Sequence, residues 1–319
     1  MDSETRRQIN MGNFADVLID EGKKKNSVLV VGLDPDIKFF PDFLIKNVDF
    51  SSNESIADAI YEFNKIIIDA VANHVIAVKP QLAYYEVYGS YGLRALEKTI
   101  SYARSKALIV INDAKRGDIG STSTAYAHAF LGNGTIAGDM VTVNPYLGSD
   151  GYLPFIEMAK ENDKGVFLLL KTSNPSSYEI QDLKLENGEL LYLKMAEEIE
   201  KLALETSGIN GYSFIGAVVG ATYPEETKKI RRTLPHSLFL VPGFGMQGGK
   251  AEDLGVFFDE NGNGALISSS RSIIYSYMNE KDDWKKIQEI EMSHYILEAA
   301  KKAKEQINEV RFNKAAYIR

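Results

Sequence analysis

The chain has 319 residues, 45% hydrophobic and 25% charged, enough material for a sizeable core in one large domain or two. A formal net charge of −8 argues against a general nucleic-acid binder, so any anionic ligand needs a locally basic pocket. The absence of cysteine excludes disulfides, thiolate catalysis and Cys-based metal sites. Residues 1–25 lack the apolar core of a signal peptide, and no apolar run approaches the roughly 18 residues of a membrane span, so a soluble cytoplasmic protein is expected.

In chain order, 5–22 predicts an amphipathic helix with Ile9, Phe14, Val17 and Leu18 on one side, and Lys23 to Lys25 read as a solvated turn. The apolar run 28–33 predicts a buried strand ending at Asp34-Pro35-Asp36. A helix near 55–73 follows, with Ile56, Ile60, Phe63 and Ile67 at helical spacing. Further strands are expected at 75–78, ending at Lys79-Pro80-Gln81; at 108–111, running into Asp113; and at 140–143, ending at Asn144-Pro145. The remaining strands are expected at 166–170, ending at Lys171; at 214–219; at 238–241, ending at Pro242-Gly243; and at 264–267, ending at Ser268 to Arg271. Helical stretches fit at 150–161, 190–206 and 223–233. A last helix over 281–310 carries Trp284, Ile287, Tyr295, Ile296 and Ala299 inward.

Continuous apolar strands with helical crossovers predict a parallel sheet. Eight in about 250 residues predict a closed α/β barrel, (β/α)8, with a doubly wound open sheet as the alternative. No Pro/Gly/Ser-rich linker divides the chain, so 1–319 reads as one domain with a barrel core over about 28–275. The surplus over a minimal barrel lies in the N-terminal helix, around 36–55, around 174–212 after the fifth strand, and in the C-terminal helix.

The chemistry concentrates in Asp113-Ala-Lys115-Arg-Gly-Asp118-Ile-Gly-Ser-Thr122. Residues two apart on a strand share a face, so Asp113 and Lys115 point the same way. Arg116-Gly117 begins a turn, and Asp118 stands where the next helix should start. A lone Asp-x-Lys is commonly a surface ion-pair ladder. At the end of a buried strand such a cluster is costly unless paired, and chains keep it mostly where chemistry needs it. Asp34, Lys79, Gln81, Ser173, Gln247 and Arg271 also follow apolar runs, which in a barrel places them on the same C-terminal rim. Gly243-Phe-Gly245-Met-Gln-Gly248 fits a dinucleotide pattern, but it follows the seventh predicted strand and so reads better as a barrel phosphate loop beside Arg271. A tight turn with a surface Arg is the alternative. His74, His128, His236 and His294 lack ligand spacing. A magnesium site on Asp34 and Asp113 is opposed by the interleaved Lys79 and Lys115, so neither metal nor cofactor is expected.

That motif, with Gly32-Leu-Asp-Pro-Asp36, resembles the signature of the orotidine 5′-monophosphate decarboxylases, in particular their longer subfamily. The resemblance covers roughly 28–275 and implies loss of carbon dioxide from orotidine 5′-monophosphate in pyrimidine biosynthesis, through a carbanion and without cofactor. It implies Lys115 as proton donor, Asp113 near the departing carboxylate, and Lys79 orienting Asp113 and the ribose. Asp118 and Thr122 would enter the other subunit's site, making a homodimer. Asp34 and Gln81 match ribose contacts, Gln81 being larger than the Asn of some relatives. Ser173 matches the reader of the pyrimidine edge, Pro242 and Ile119 an apolar wall, and Gln247 and Arg271 the phosphate contacts. Ser270 stands where the family often has Gly, crowding the backbone contact to phosphate. The loops around Ser173 and Gln247 are the expected lids. A metal-dependent sugar-phosphate lyase on the same barrel and a non-catalytic phosphate-binding barrel are the competing readings.

Overall fold

The computed structural model describes residues 12–245 and 251–313. Eight parallel strands close in sequence order into a barrel: β1 (Leu29–Leu33), β2 (Ala77–Pro80), β3 (Ile109–Arg116), β4 (Met140–Val143), β5 (Gly165–Lys171), β6 (Ser213–Val219), β7 (Ser237–Val241) and β8 (Ala265–Ser269). The closing pair sets Leu29, Val30 and Val31 beside Ile267, Ser268 and Ser269. Every residue of β1, β2, β4, β6, β7 and β8 is buried. A strand covered by side chains inside and by helices outside has no solvent face, which is why these strands read as unbroken apolar runs. Each fully buried Val, Leu or Ile contributes roughly 1.5–3 kcal/mol of transfer free energy.

Among the described residues, eight longer helices accompany the strands: α1 (Phe14–Lys25), α2 (Asn53–Val71), α3 (Gly89–Ser105), α4 (Gly120–Leu131), α5 (Ser149–Glu161), α6 (Leu191–Glu205), α7 (Pro224–Thr233) and α8 (Glu289–Arg311). The first begins at Phe14, where Asn13 and Asp16 form a capping box that fixes its N-terminus; residues 5–11 of the expected helix, Ile9 among them, lie outside the described residues. It also runs on through Lys23 to Lys25, which form its last helical turn instead of a separate turn, with Lys23 and Lys24 solvated as expected. Cations suit a helix C-terminus, and Lys25 Nζ donates to the carbonyls of Ala72 and Val75. Asp16 in turn accepts from the backbone N–H groups of Ile209 and Asn210, tying α1 to the turn before β6.

Among the described residues between β7 and β8, Ala251–Phe257 forms a 3-10 turn and no long helix occurs. The last helix starts at Glu289, after a separate 3-10 turn at Trp284–Lys286 and the buried Ile287. Its buried face carries Met292, Ile296, Ala300, Ala303 and Ile307, with Tyr295 and Ala299 partly covered. It packs against α2 and the 251–257 turn, closing the helical ring over the seam between β8 and β1. The surplus after β5 folds as a 3-10 turn (Pro175–Ser177), a one-turn helix (Tyr178–Gln181) and a turn closed by the antiparallel bridge between Lys184 and Leu190. Among the described residues, no helix is long and apolar enough to cross a membrane.

Candidate active site

Asp113 and Lys115 lie on β3, as expected, and Arg116 is still strand where a turn was expected to begin. The strand continues to Arg116, and its pairing with β4 slips between Asn112 and Arg116. Lys115 takes up the extra residue in the left-handed region at φ +48°. A side chain there costs about 1–3 kcal/mol unless its surroundings impose it. Here the Lys115 N–H donates to Thr142 Oγ1 at 2.9 Å, from the neighbouring strand. Asp118 lies two residues before α4, so it precedes the helix instead of opening it, and its carboxylate accepts the N–H of Ile119.

Asp113 is the hub. Its Oδ2 accepts from Lys79 Nζ at 2.6 Å and Gln81 Nε2 at 3.0 Å. Its Oδ1 accepts from Lys115 Nζ at 2.6 Å and Thr142 Oγ1 at 3.0 Å. The two lysines differ in exposure: the Lys79 side chain is 7% exposed, that of Lys115 46%. Burial pushes the Asp113 carboxyl upward, but the ammonium groups of Lys79 and Lys115 outweigh it and hold the group well below the ordinary carboxylate range. Burial likewise works against the charge on Lys79, yet Asp113 and then Asp34 raise its affinity for the proton above the usual value. The site therefore holds a carboxylate clasped between two lysine side chains.

Around this hub opens a cavity of about 950 Å³ at the C-terminal ends of the strands. Asp34, Lys79, Gln81, Asp113, Lys115, Ser173, Pro242, Gly243, Ser270 and Arg271, all singled out from the sequence, line it. Asp34 presents a buried Oδ1 with no hydrogen-bond partner among the described residues. Gln81, expected at the ribose, spends its amide on Asp113. Ser173 lies tight against β6; a Cβ on Gly220 would come within 2.8 Å of its Cα. The Ser270 hydroxyl is seated where Gly32 has no side chain, since a Cβ there would meet Ser270 Oγ at 1.8 Å. Gly243 and Gly245 both have positive φ, 99° and 91°, which suits the tight turn expected of a phosphate loop. Gln247 and Gly248 lie outside the described residues.

Asp118, Ile119 and Thr122 do not line this cavity; Ile119 and Thr122 are exposed. Among the described residues no group of three or more His, Cys, Asp or Glu is placed to hold a metal. His236 pairs instead with Glu200.

Three contributors escaped the sequence reading. Thr142 joins Asp113 to Lys115; its signal was one hydroxyl in an otherwise apolar strand. Tyr275 donates to the Asp34 carbonyl at 2.8 Å and accepts the Asp36 N–H at 2.7 Å, fixing the loop after β1. Lys171, noted only as a strand end, is buried at the end of β5.

Comparison with known proteins agrees with this geometry. Residues 27–287 match the orotidine 5′-phosphate decarboxylase / HUMPS family. The orotidine 5′-phosphate decarboxylase of Caldicellulosiruptor saccharolyticus is 44% identical over 309 residues, covering 93% of this chain and 99% of that protein. That of Rhodopirellula baltica is 44% identical over 276 residues, covering 85% and 91%. The solved structure of Leishmania donovani OMP decarboxylase superposes with a TM-score of 0.72 at 32% identity, covering 94% of this chain and 99% of that one. A closed barrel carrying a Lys–Asp–Lys clasp at its rim, together with matches of this length, places the chain in the orotidine 5′-phosphate decarboxylase / HUMPS family.

Proposed function

We propose that this protein is a carboxy-lyase that converts orotidine 5′-monophosphate to uridine 5′-monophosphate in pyrimidine biosynthesis, with Lys115 as the proton donor. The observation that carries the reading is the Asp113 carboxylate held between Lys79 and Lys115 at 2.6 Å on each side. The reaction breaks the bond between the ring carbon and its carboxylate. Carbon dioxide leaves without the electron pair, and the carbanion takes a proton from Lys115 Nζ. A fixed ammonium beside that carbon stabilises the charge as it develops, and no dipoles need to reorganise. Asp113 disfavours the substrate's carboxylate in the ground state and not the neutral product leaving it, so its effect falls on the chemical step. Lys79 and Gln81 keep Asp113 ionised and aimed. Asp34 offers its free Oδ1 to the ribose hydroxyls, and Arg271 with the 243–245 turn offers a planar cation and backbone to the phosphate. Pro242 supplies apolar wall where carbon dioxide departs. Phosphate held this far from the ring can drive closure of the loops around Ser173 and Gln247.

The site is completed, in this reading, by a second copy. Asp118, Ile119 and Thr122 sit outside their own cavity on the loop and helix after β3. The first turn of α5 and the 3-10 turn before it meet this segment: a Cβ on Gly151 would lie 3.0 Å from the Asp118 carbonyl and 3.4 Å from Leu147 Cβ. Ile119, Tyr146 and Leu147 are 56%, 75% and 51% exposed, an apolar surface that supports a two-fold contact carrying Asp118 and Thr122 into the partner's cavity.

The test is loss of orotidine 5′-monophosphate absorbance by the purified chain after exhaustive chelation. Undiminished turnover is expected. Activity lost to the chelator and restored by magnesium would support the metal-dependent lyase reading and overturn this one.

A further inference from the structure

Lys171 is a buried ammonium that the proposed chemistry does not use. It ends β5, is 1% exposed, and does not line the cavity. Its Nζ meets Asp182 Oδ1 at 2.5 Å and lies over the rings of Tyr223 and Tyr192, at 4.8 and 5.4 Å from their centroids. Asp182 belongs to the segment inserted after β5, immediately after the one-turn helix Tyr178–Gln181. A second clasp lies beside it. Gln181 Oε1 accepts the Thr172 N–H at 3.0 Å, and Gln181 Nε2 donates to Thr172 Oγ1 at 2.7 Å. Both clasps grip the residues flanking Ser173 on its strand side, and the segment they hold contributes Asn174, Ile180 and Gln181 to the cavity lining.

We infer that the Lys171–Asp182 pair is a latch that fixes the 174–182 segment over the barrel mouth, making Lys171, Asp182 and Gln181 positioning residues for recognition of the pyrimidine. A buried ammonium is costly without its counter-charge. When the segment lifts, Asp182 reaches water but Lys171 stays behind with only ring faces, so the closed arrangement is favoured. The latch acts on the base end of the cavity, around Ser173, and not on the phosphate end, around Arg271. This inference rests on the proposed reading of Ser173 as a base contact.

The separation gives the test. Binding of uridine 5′-monophosphate, which uses both ends, and of ribose 5-phosphate, which lacks the base, is measured by calorimetry on the full chain. Hydrogen exchange is followed over 174–190 in parallel. Asp182→Asn, at a side chain 36% exposed, removes the counter-charge and strands the lysine. It is expected to weaken uridine 5′-monophosphate tenfold or more, leave ribose 5-phosphate within twofold, and speed exchange over the segment. Adding Lys171→Met to Asp182→Asn should recover part of the loss, because the stranded charge is gone. Gln181→Leu, which breaks only the second clasp, should show the same split between ligands and keeps the test open if the charge variants fold poorly. Equal weakening of both ligands, or unchanged binding of uridine 5′-monophosphate, overturns the latch. Ser173→Ala is read separately: if it leaves uridine 5′-monophosphate binding intact, the base-contact reading fails, while the latch still stands or falls on Asp182→Asn.

Discussion

Thr142→Val tests how tightly the catalytic pair is held. The change keeps the shape of the side chain, which is 1% exposed, and removes one hydroxyl. That hydroxyl has two functions: it donates to Asp113 Oδ1 at 3.0 Å and accepts the Lys115 N–H at 2.9 Å. A hydrogen bond to a charged acceptor is worth about 1.5–3 kcal/mol, and a buried N–H left without a partner costs about 1–3 kcal/mol. The two are coupled through one atom, so a combined stability loss of about 2–3 kcal/mol is expected instead of their sum. Asp113 keeps its contacts to Lys79, Gln81 and Lys115, so its charge survives. What is lost is the geometry at Lys115, whose φ of +48° depends on that N–H bond. A displaced proton donor costs transition-state stabilisation and not substrate binding. Since each 1.4 kcal/mol is tenfold, kcat should fall by about 10- to 100-fold with KM changed less than about threefold. Steady-state kinetics with denaturant unfolding measures both, and Thr142→Ser should restore most of the loss. A folded Thr142→Val enzyme with kcat within about twofold of the parent would refute the reasoning.

The legibility of this chain follows burial. The eight strands were readable because both of their faces are covered, leaving apolar runs that end at polar residues. The rim residues were readable because a parallel barrel puts every strand end on one face, so Asp34, Lys79, Asp113 and Arg271 converge however far apart they lie in sequence. The start of α1 was not legible from apolar spacing, since Asn13 and Asp16 stop the helix through hydrogen bonds. The continuation of β3 through Arg116 was hidden for a similar reason. An Arg-Gly pair reads as a turn, and the pairing of Arg116 with Val143, with the grip of Thr142 on Lys115, keeps it in the sheet. Thr142, Tyr275 and Lys171 act through partners 27, 241 and 11 positions away, separations that no local pattern encodes.

Lys115→Ala should remove nearly all turnover while leaving appreciable affinity for uridine 5′-monophosphate; near-parental turnover in a folded variant would rule out its role as proton donor. Arg271→Ala should weaken the intact substrate and scarcely affect orotidine, which lacks the phosphate; equal losses with both would make the Arg structural. The depressed Asp113 carboxyl contributes stability that is fully present above its unfolded value of about 3.9 and is lost as pH falls below that toward its folded value, so urea unfolding should weaken in this acid window, and Asp113→Asn should flatten the dependence. The remaining prediction concerns the second copy. Asp118 and Thr122 lie outside their own cavity, whereas Lys115 lines it. In a two-fold dimer each interface serves both sites. Lys115→Ala and Asp118→Ala should each be inactive alone. Mixed under conditions that exchange subunits, they form a dimer in which one site carries both lesions and the other carries neither. Random exchange makes about half the dimers mixed, each with one intact site, so activity should rise toward about a quarter of the parental value. If exchange is demonstrated and nothing is restored, Asp118 acts within its own subunit, and the exposed Ile119, Tyr146 and Leu147 surface must be covered by something other than a site-sharing partner.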